Sequence, residues 1–114
     1  MSYFTANLTT EEDEVREEMR RQHAKFGPQN HPDGTGLPGS VMEADEARAR
    51  CKANGPEQDN WRDILDEEVR EAFAETDPDA LLVELLQVEA VARQWRLAIR
   101  RRLAAAEQDG EVSR

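Results

Sequence analysis

Apolar residues recur along this chain at spacings of three and four, and no stretch alternates as a strand would. Four helices follow from that pattern and its punctuation. The first is expected from about Thr10 to Phe26, with Val15, Met19 and Phe26 as a narrow apolar stripe. Thr9 and Glu12 have capping-box spacing, and Gly27-Pro28 stops the helix. Residues 27–39 then hold four glycines and three prolines, which is a loop by composition. A loop of that length in a small helical domain is usually functional or mobile.

The second helix is expected from about Val41 to Ala53, between a capping box of Ser40 with Glu43 and the breaker Gly55-Pro56. The third runs from about Trp61 to Glu75, with Asn60 as its N-cap. Asp77 caps the fourth and Pro78 takes its first position, where a missing N–H costs nothing. That helix continues to about Ala106 and leaves residues 107–114 as a frayed tail. The expectation is an all-α, four-helix bundle formed by residues 1–114 as a single domain.

The fourth helix carries more information than the others. About 29 residues rising 1.5 Å each span roughly 43 Å, while a compact chain of about 100 residues has a radius of gyration near 13 Å. Such a helix overhangs its own domain. Leu81, Leu85, Val88, Ala92, Trp95, Ile99 and Leu103 form one apolar face, and Leu86, Ala90 and Leu97 a second. One face packs at home and the other is expected to meet a partner chain, so a homo-oligomer, dimer or tetramer, completes the bundle.

Composition adjusts this picture in three ways. Of the 114 residues, 25 are Asp or Glu and 15 are Lys or Arg, a formal charge of -10. That sign opposes nucleic-acid binding, which needs a basic footprint, and permits cation binding. The single cysteine, Cys51, allows no internal disulfide. No apolar run approaches the roughly 20 residues of a membrane span, and residues 1–8 lack the pattern of a signal peptide. A soluble protein of the cytoplasm is expected.

Most charges fall where solvated charges belong. Glu89, Arg93, Arg96 and Arg100 share one polar face and read as a surface, with i,i+4 support from Glu89 and Arg93. Glu84 is different, because it points into the sector of Val88, Val91 and Trp95. Glu68 likewise falls between Trp61 and Ile64 on the wheel of the third helix. Glu67, Glu71 and Glu75 lie beside it, and no Lys or Arg of that helix shares their arc. Like charges gathered at a core repel, so something positive should sit among them. A hard divalent cation such as magnesium fits, with Glu68 and Glu71 facing Glu84 and Gln87 as two i,i+3 pairs. The competing reading places the same acids at the core's rim, snorkelling outward.

Other chemistries find less support. A di-iron bundle site wants Glu-x-x-His pairs, and neither His23 nor His31 completes one. Zinc lacks paired cysteines or histidines. Gly34-Thr35-Gly36 lacks the Lys-Ser/Thr ending of a P-loop.

Glu67-Glu68-Val69-Arg70-Glu71, then twelve residues, then Glu84-Leu85-Leu86-Gln87 resembles the EExxE…ExxD motif of the MazG-like nucleoside triphosphate pyrophosphohydrolases. Trp61, Ile64 and Leu65 before the first block, Ala72 and Phe73 after it, and Val88 after the second extend the likeness over about half the chain. The run Asn30-His31-Pro32-Asp33-Gly34 after Gln22-His23-Ala24-Lys25 resembles small actinobacterial and actinophage members. The resemblance implies an all-α fold and magnesium-dependent hydrolysis of a nucleoside triphosphate to the monophosphate and pyrophosphate, with manganese as a substitute ion. Carried over by position, it implies Glu68, Glu71 and Glu84 as metal ligands, with Glu67 either an outer carboxylate or a residue that helps position the attacking water. Gln87 stands where the family has its last Asp, and its amide oxygen would ligate without charge. Gln22, Lys25, Asn30 and Asp33 are candidates for substrate contact, and equally read as a surface strip and a turn. The alternative to an enzyme is a non-catalytic acidic adaptor or inhibitor that keeps the fold and binds a protein partner. Gln87 and the charge of -10 favour it.

Overall fold

The computed structural model describes residues 3–112 of the chain. They form four helices and no strand: α1 Tyr3–Phe26, α2 Ser40–Gln58, α3 Trp61–Ala74 and α4 Pro78–Val112. The all-α expectation holds. No helix among the described residues is long and apolar enough to cross a membrane.

The capping expectations fare unequally. Asn60 caps α3 as its sequence position implies, its side chain accepting from the Asp63 N–H at 2.8 Å. Asp77 does the same for α4, its Oδ2 accepting from the Ala80 N–H at 2.9 Å. The Ser40–Glu43 box does not form. Gly39 occupies the cap position in the left-handed region, at φ 88°, and its carbonyl accepts from the Glu43 N–H at 2.9 Å. The Glu43 carboxylate reaches Arg70 of α3 instead, at 3.1 Å. Nor does Thr9 begin α1, because the helix starts at Tyr3 and runs through it. Extending a helix costs far less than nucleating one, so an internal Thr need not stop it. The breaker Gly55-Pro56 acts as expected: Gly55, at φ 71° and ψ 168°, interrupts the helical backbone within α2. At the far end α4 continues past Ala106 to Val112, and residues 113–114 of the expected tail lie outside the described residues.

Two compact units form, one from residues 32–92 and one from residues 1–31 with 93–114, so that α4 contributes its first half to the former and its second half to the latter. In the unit of residues 32–92, α2 and α3 pack together. The fully buried apolar residues of these two helices are Ala44, Ala47 and Ala72, small side chains that let helix backbones approach closely. From α4, Leu81 is buried. Ion pairs run along the α2–α3 seam, Arg48 with Glu71 and Arg50 with Asp66. Asp63 lies buried there and accepts from both Asn54 Nδ2 and Asn60 Nδ2 at 2.9 Å. The Asn54 contact above all holds its carboxyl below the usual carboxylate value. The loop is fastened to this unit at Gly36, whose N–H donates to the Phe73 carbonyl at 2.8 Å. A Cβ at Gly36 would stand 2.3 Å from Thr76 Cγ2, so Thr76 would have to shift, and the φ of 76° is one that residues with a side chain rarely adopt.

In the other unit α1 faces the second half of α4, where Leu97 is buried. Arg96 and Arg100 grip Glu11 and Glu14, and Arg93 approaches Glu12 at 3.9 Å. This corrects the reading of these arginines as a solvated surface supported by Glu89. Glu11 is fully buried, and an unpaired carboxylate there would be costly.

Candidate metal centre

The third and fourth helices bring Glu68, Glu71 and Glu84 together. One carboxylate oxygen from each lies within 4.8 Å of the other two. Glu68 and Glu71 are one helical turn apart on α3, and Glu84 comes from the first half of α4, so all three belong to the unit of residues 32–92. All are half-buried rather than fanned into solvent as rim acids would be. Two oxygens on opposite sides of a magnesium ion stand roughly 4.2 Å apart, since each bond is about 2.1 Å. The 4.8 Å spacing of the three carboxylates is close to that separation. The donor set, all hard oxygen, suits magnesium or manganese.

Electrostatics records the crowding. Burial, then the neighbouring Glu71, Glu67 and Glu84, pushes the Glu68 carboxyl above its ordinary value. Burial, then Glu71 and Glu75, raises Glu84, while Arg48 partly offsets the shift. A raised carboxylate favours the folded state most when protonated, below its ordinary 4.5, and loses that contribution as pH rises through the raised value. Glu14 has the opposite sign. The Arg100 hydrogen bond lowers it, so its contribution disappears as pH falls below the same 4.5. The two windows are therefore separate. In chelator-treated protein the melting temperature should fall as pH rises above about 4.5 and through the raised values. Glu84→Gln should flatten that arm, as a thermal scan across pH 4 to 8 measures. An unchanged arm would show that the cluster is not the source.

Gln87 extends the cluster in an unexpected sense. With its amide oriented as the surroundings require, Nε2 donates to Glu68 Oε2 at 3.0 Å and to Glu84 Oε2 at 3.2 Å. It presents a donor that bridges two carboxylates, rather than its oxygen. Glu67 is not among the three converging acids. It lies beside Cys51, whose thiol is pushed up to about 12 by burial first and by Glu67 second. That thiol donates to the Asp63 carbonyl at 3.2 Å and is no nucleophile at neutral pH. Glu75 spends its Oε1 on the backbone N–H groups of Thr76 and Asp77.

Sequence reasoning missed Arg48. Its Nη2 donates to Glu71 Oε1 at 3.1 Å and its Nη1 to Asp45 Oδ1 at 2.9 Å. One positive group beside the acidic arc therefore comes from α2. No local signal could have found it, because the partners are 23 residues apart.

No protein-family model, curated protein or solved structure matches this chain. The site therefore stands on its own geometry.

The expected substrate-contact residues divide between the units. Asp33 is exposed in the unit that holds the carboxylates. Gln22, Lys25 and Asn30 are exposed in the other. Gln22 donates to Glu18 at 3.4 Å, Lys25 Nζ lies 5.1 Å from the centre of the Phe26 ring, and Asn30 lines a cavity of about 570 Å³ with Phe26 and His31.

Proposed function

We propose that this chain is a magnesium-dependent nucleotide pyrophosphohydrolase of the MazG-like kind, converting a nucleoside triphosphate to the monophosphate and pyrophosphate. The convergence of Glu68, Glu71 and Glu84 within 4.8 Å carries the reading. Three half-buried carboxylates at that spacing repel one another, and a divalent cation bound by them relieves the repulsion. When bound, the cation would supply charge neutralisation at the phosphate oxygens and a water more acidic than bulk water. The chain's own part is to hold the carboxylates converged. Gln87 steadies Glu68 and Glu84, and the α2–α3 ion pairs fix the helix that carries Glu68 and Glu71. The direct test is pyrophosphate release from standard and modified nucleoside triphosphates, with magnesium or manganese and with chelator. Release that needs the cation supports the enzyme. No release from folded protein across the panel would refute it for those substrates.

A second reading, an acidic adaptor that binds a protein partner, draws on one observation. The Gln87 amide already satisfies one oxygen each of Glu68 and Glu84, so the cluster is partly stabilised without an ion.

A homo-oligomer belongs to the same proposal. Leu82 and Leu86, one turn apart on α4, are 68% and 64% exposed, and Val41, Met42 and Phe73 of the same unit are exposed as well. Aspartate at an exposed leucine changes monomer stability by only about 0.5 kcal/mol. Leu82→Asp and Leu86→Asp should therefore dissociate the assembly in sedimentation experiments while leaving helicity intact. Wild type that sediments as a monomer would end this part of the proposal.

A further inference from the structure

We infer that Arg48 is a phosphate-binding residue, which rests on Glu71 when no cation is present and grips a polyphosphate when one is bound. This inference rests on the cation-site reading above.

Arg48 is the one basic residue lining a cavity of about 310 Å³ whose walls include Glu71, Glu75 and Glu84. Its guanidinium touches Glu71 at 3.1 Å, so it already lies at the edge of the carboxylate cluster. Hydrogen bonds to Glu71 and Asp45 raise its own basicity and keep it charged. Three carboxylates are balanced by one divalent cation together with one guanidinium. A cation that takes the Glu71 carboxylate removes the acceptor on which Arg48 depends. Asp45, one turn earlier on α2 and 2.9 Å from Nη1, remains to hold the side chain in place. The released donors then face a cavity that otherwise repels anions.

The chemistry selects the ligand class. A guanidinium offers a planar fork of N–H donors that matches phosphate oxygens, and it stays charged at any physiological pH. Its side chain is 53% exposed, which leaves it room to turn. A cation on the carboxylates and a guanidinium at their edge suit a ligand with at least two linked phosphates. A single carboxylate or a neutral sugar would leave one of them unpaired.

The test uses the intact protein and two variants, Arg48→Ala and Arg48→Lys, with folding checked by circular dichroism. Calorimetry with manganese chloride alone comes first, then inorganic tripolyphosphate at saturating manganese. Arg48→Ala should bind manganese at least as tightly as wild type, because a competitor for Glu71 is gone. Its tripolyphosphate affinity should fall about tenfold or more, the scale of a lost charge-assisted hydrogen bond. Arg48→Lys keeps the charge without the fork and should fall between the two. Unchanged tripolyphosphate affinity in Arg48→Ala, with manganese bound normally, would overturn this inference alone and leave Arg48 a counter-ion. Wild type that binds no manganese would overturn the cation site and this inference together.

Discussion

Glu68→Gln and Glu84→Gln should each reduce magnesium-dependent pyrophosphate release by more than the roughly hundredfold that marks loss of a supporting partner. Both residues contribute oxygens to the same cluster, Glu68 from α3 and Glu84 from α4, so neither can replace the other. The same variants should behave in the opposite sense when stability is measured without cation. Burial and like charge act together against ionised Glu68 and Glu84. A neutral amide of the same size removes the repulsion and keeps the packing, so the chelator-treated variants should melt higher than wild type. Magnesium then separates them again. Ligand at a hundredfold excess over Kd stabilises the wild type by about 2.7 kcal/mol, or roughly 10 °C for a chain of this size. The variants should lose most of that rise. A magnesium-induced rise retained in full by both variants would place the ion elsewhere and sink the proposed centre. The paired readout matters because a variant that merely unfolds loses activity but cannot melt higher.

Glu11→Ala should strongly destabilise the unit formed by α1 and the second half of α4. Glu11 is fully buried and is held by Arg96 at 2.6 Å and Arg100 at 2.5 Å. Removing it leaves two guanidinium groups with only Glu14 between them. Breaking a buried pair from one side costs about 3–5 kcal/mol. The arginines remain 40% and 35% exposed, and water compensates part of the loss, which places the expectation near 3 kcal/mol, or roughly 10 °C. Glu14→Ala should cost much less, since that side chain is 40% exposed. Thermal or urea unfolding of the two variants measures the contrast. Equal effects would show that burial of Glu11 does not govern this network. Neither variant touches the carboxylate cluster, so magnesium binding should survive in any folded sample.

These expectations differ in how much of each was legible before the tertiary structure. Asn60, Gly55-Pro56 and Asp77-Pro78 punctuated the chain correctly because capping and breaking are local backbone events. The start of α1 and the cap of α2 were misplaced for a related reason. A Ser or Thr followed by Glu three residues on can cap a helix, but it can equally sit inside one. The two apolar faces of α4 were visible, yet their burial was not. Leu97, read as part of the second patch, is buried at 3% exposure, while Leu85 of the first is 47% exposed. Periodicity gives direction around a helix axis and says nothing of what waits on that side.

Sequence by itself determined four helices, an acidic chain, an arc of carboxylates on the third helix and one carboxylate in the apolar sector of the fourth. It could do so because helical spacing converts position in the chain into direction in space. Tertiary structure alone decided the rest: that Glu68, Glu71 and Glu84 converge, that Arg48 reaches Glu71 across 23 residues, and that the Gln87 amide turns its donors to Glu68 and Glu84. It also decided that Arg96 and Arg100 grip Glu11 and Glu14 of α1 instead of lying along a solvated face. Each of these is a pairing of charged or polar groups far apart in the chain. Which partner such a group finds depends on which helices pack and in what register, and the one-dimensional pattern of any single helix does not contain that information.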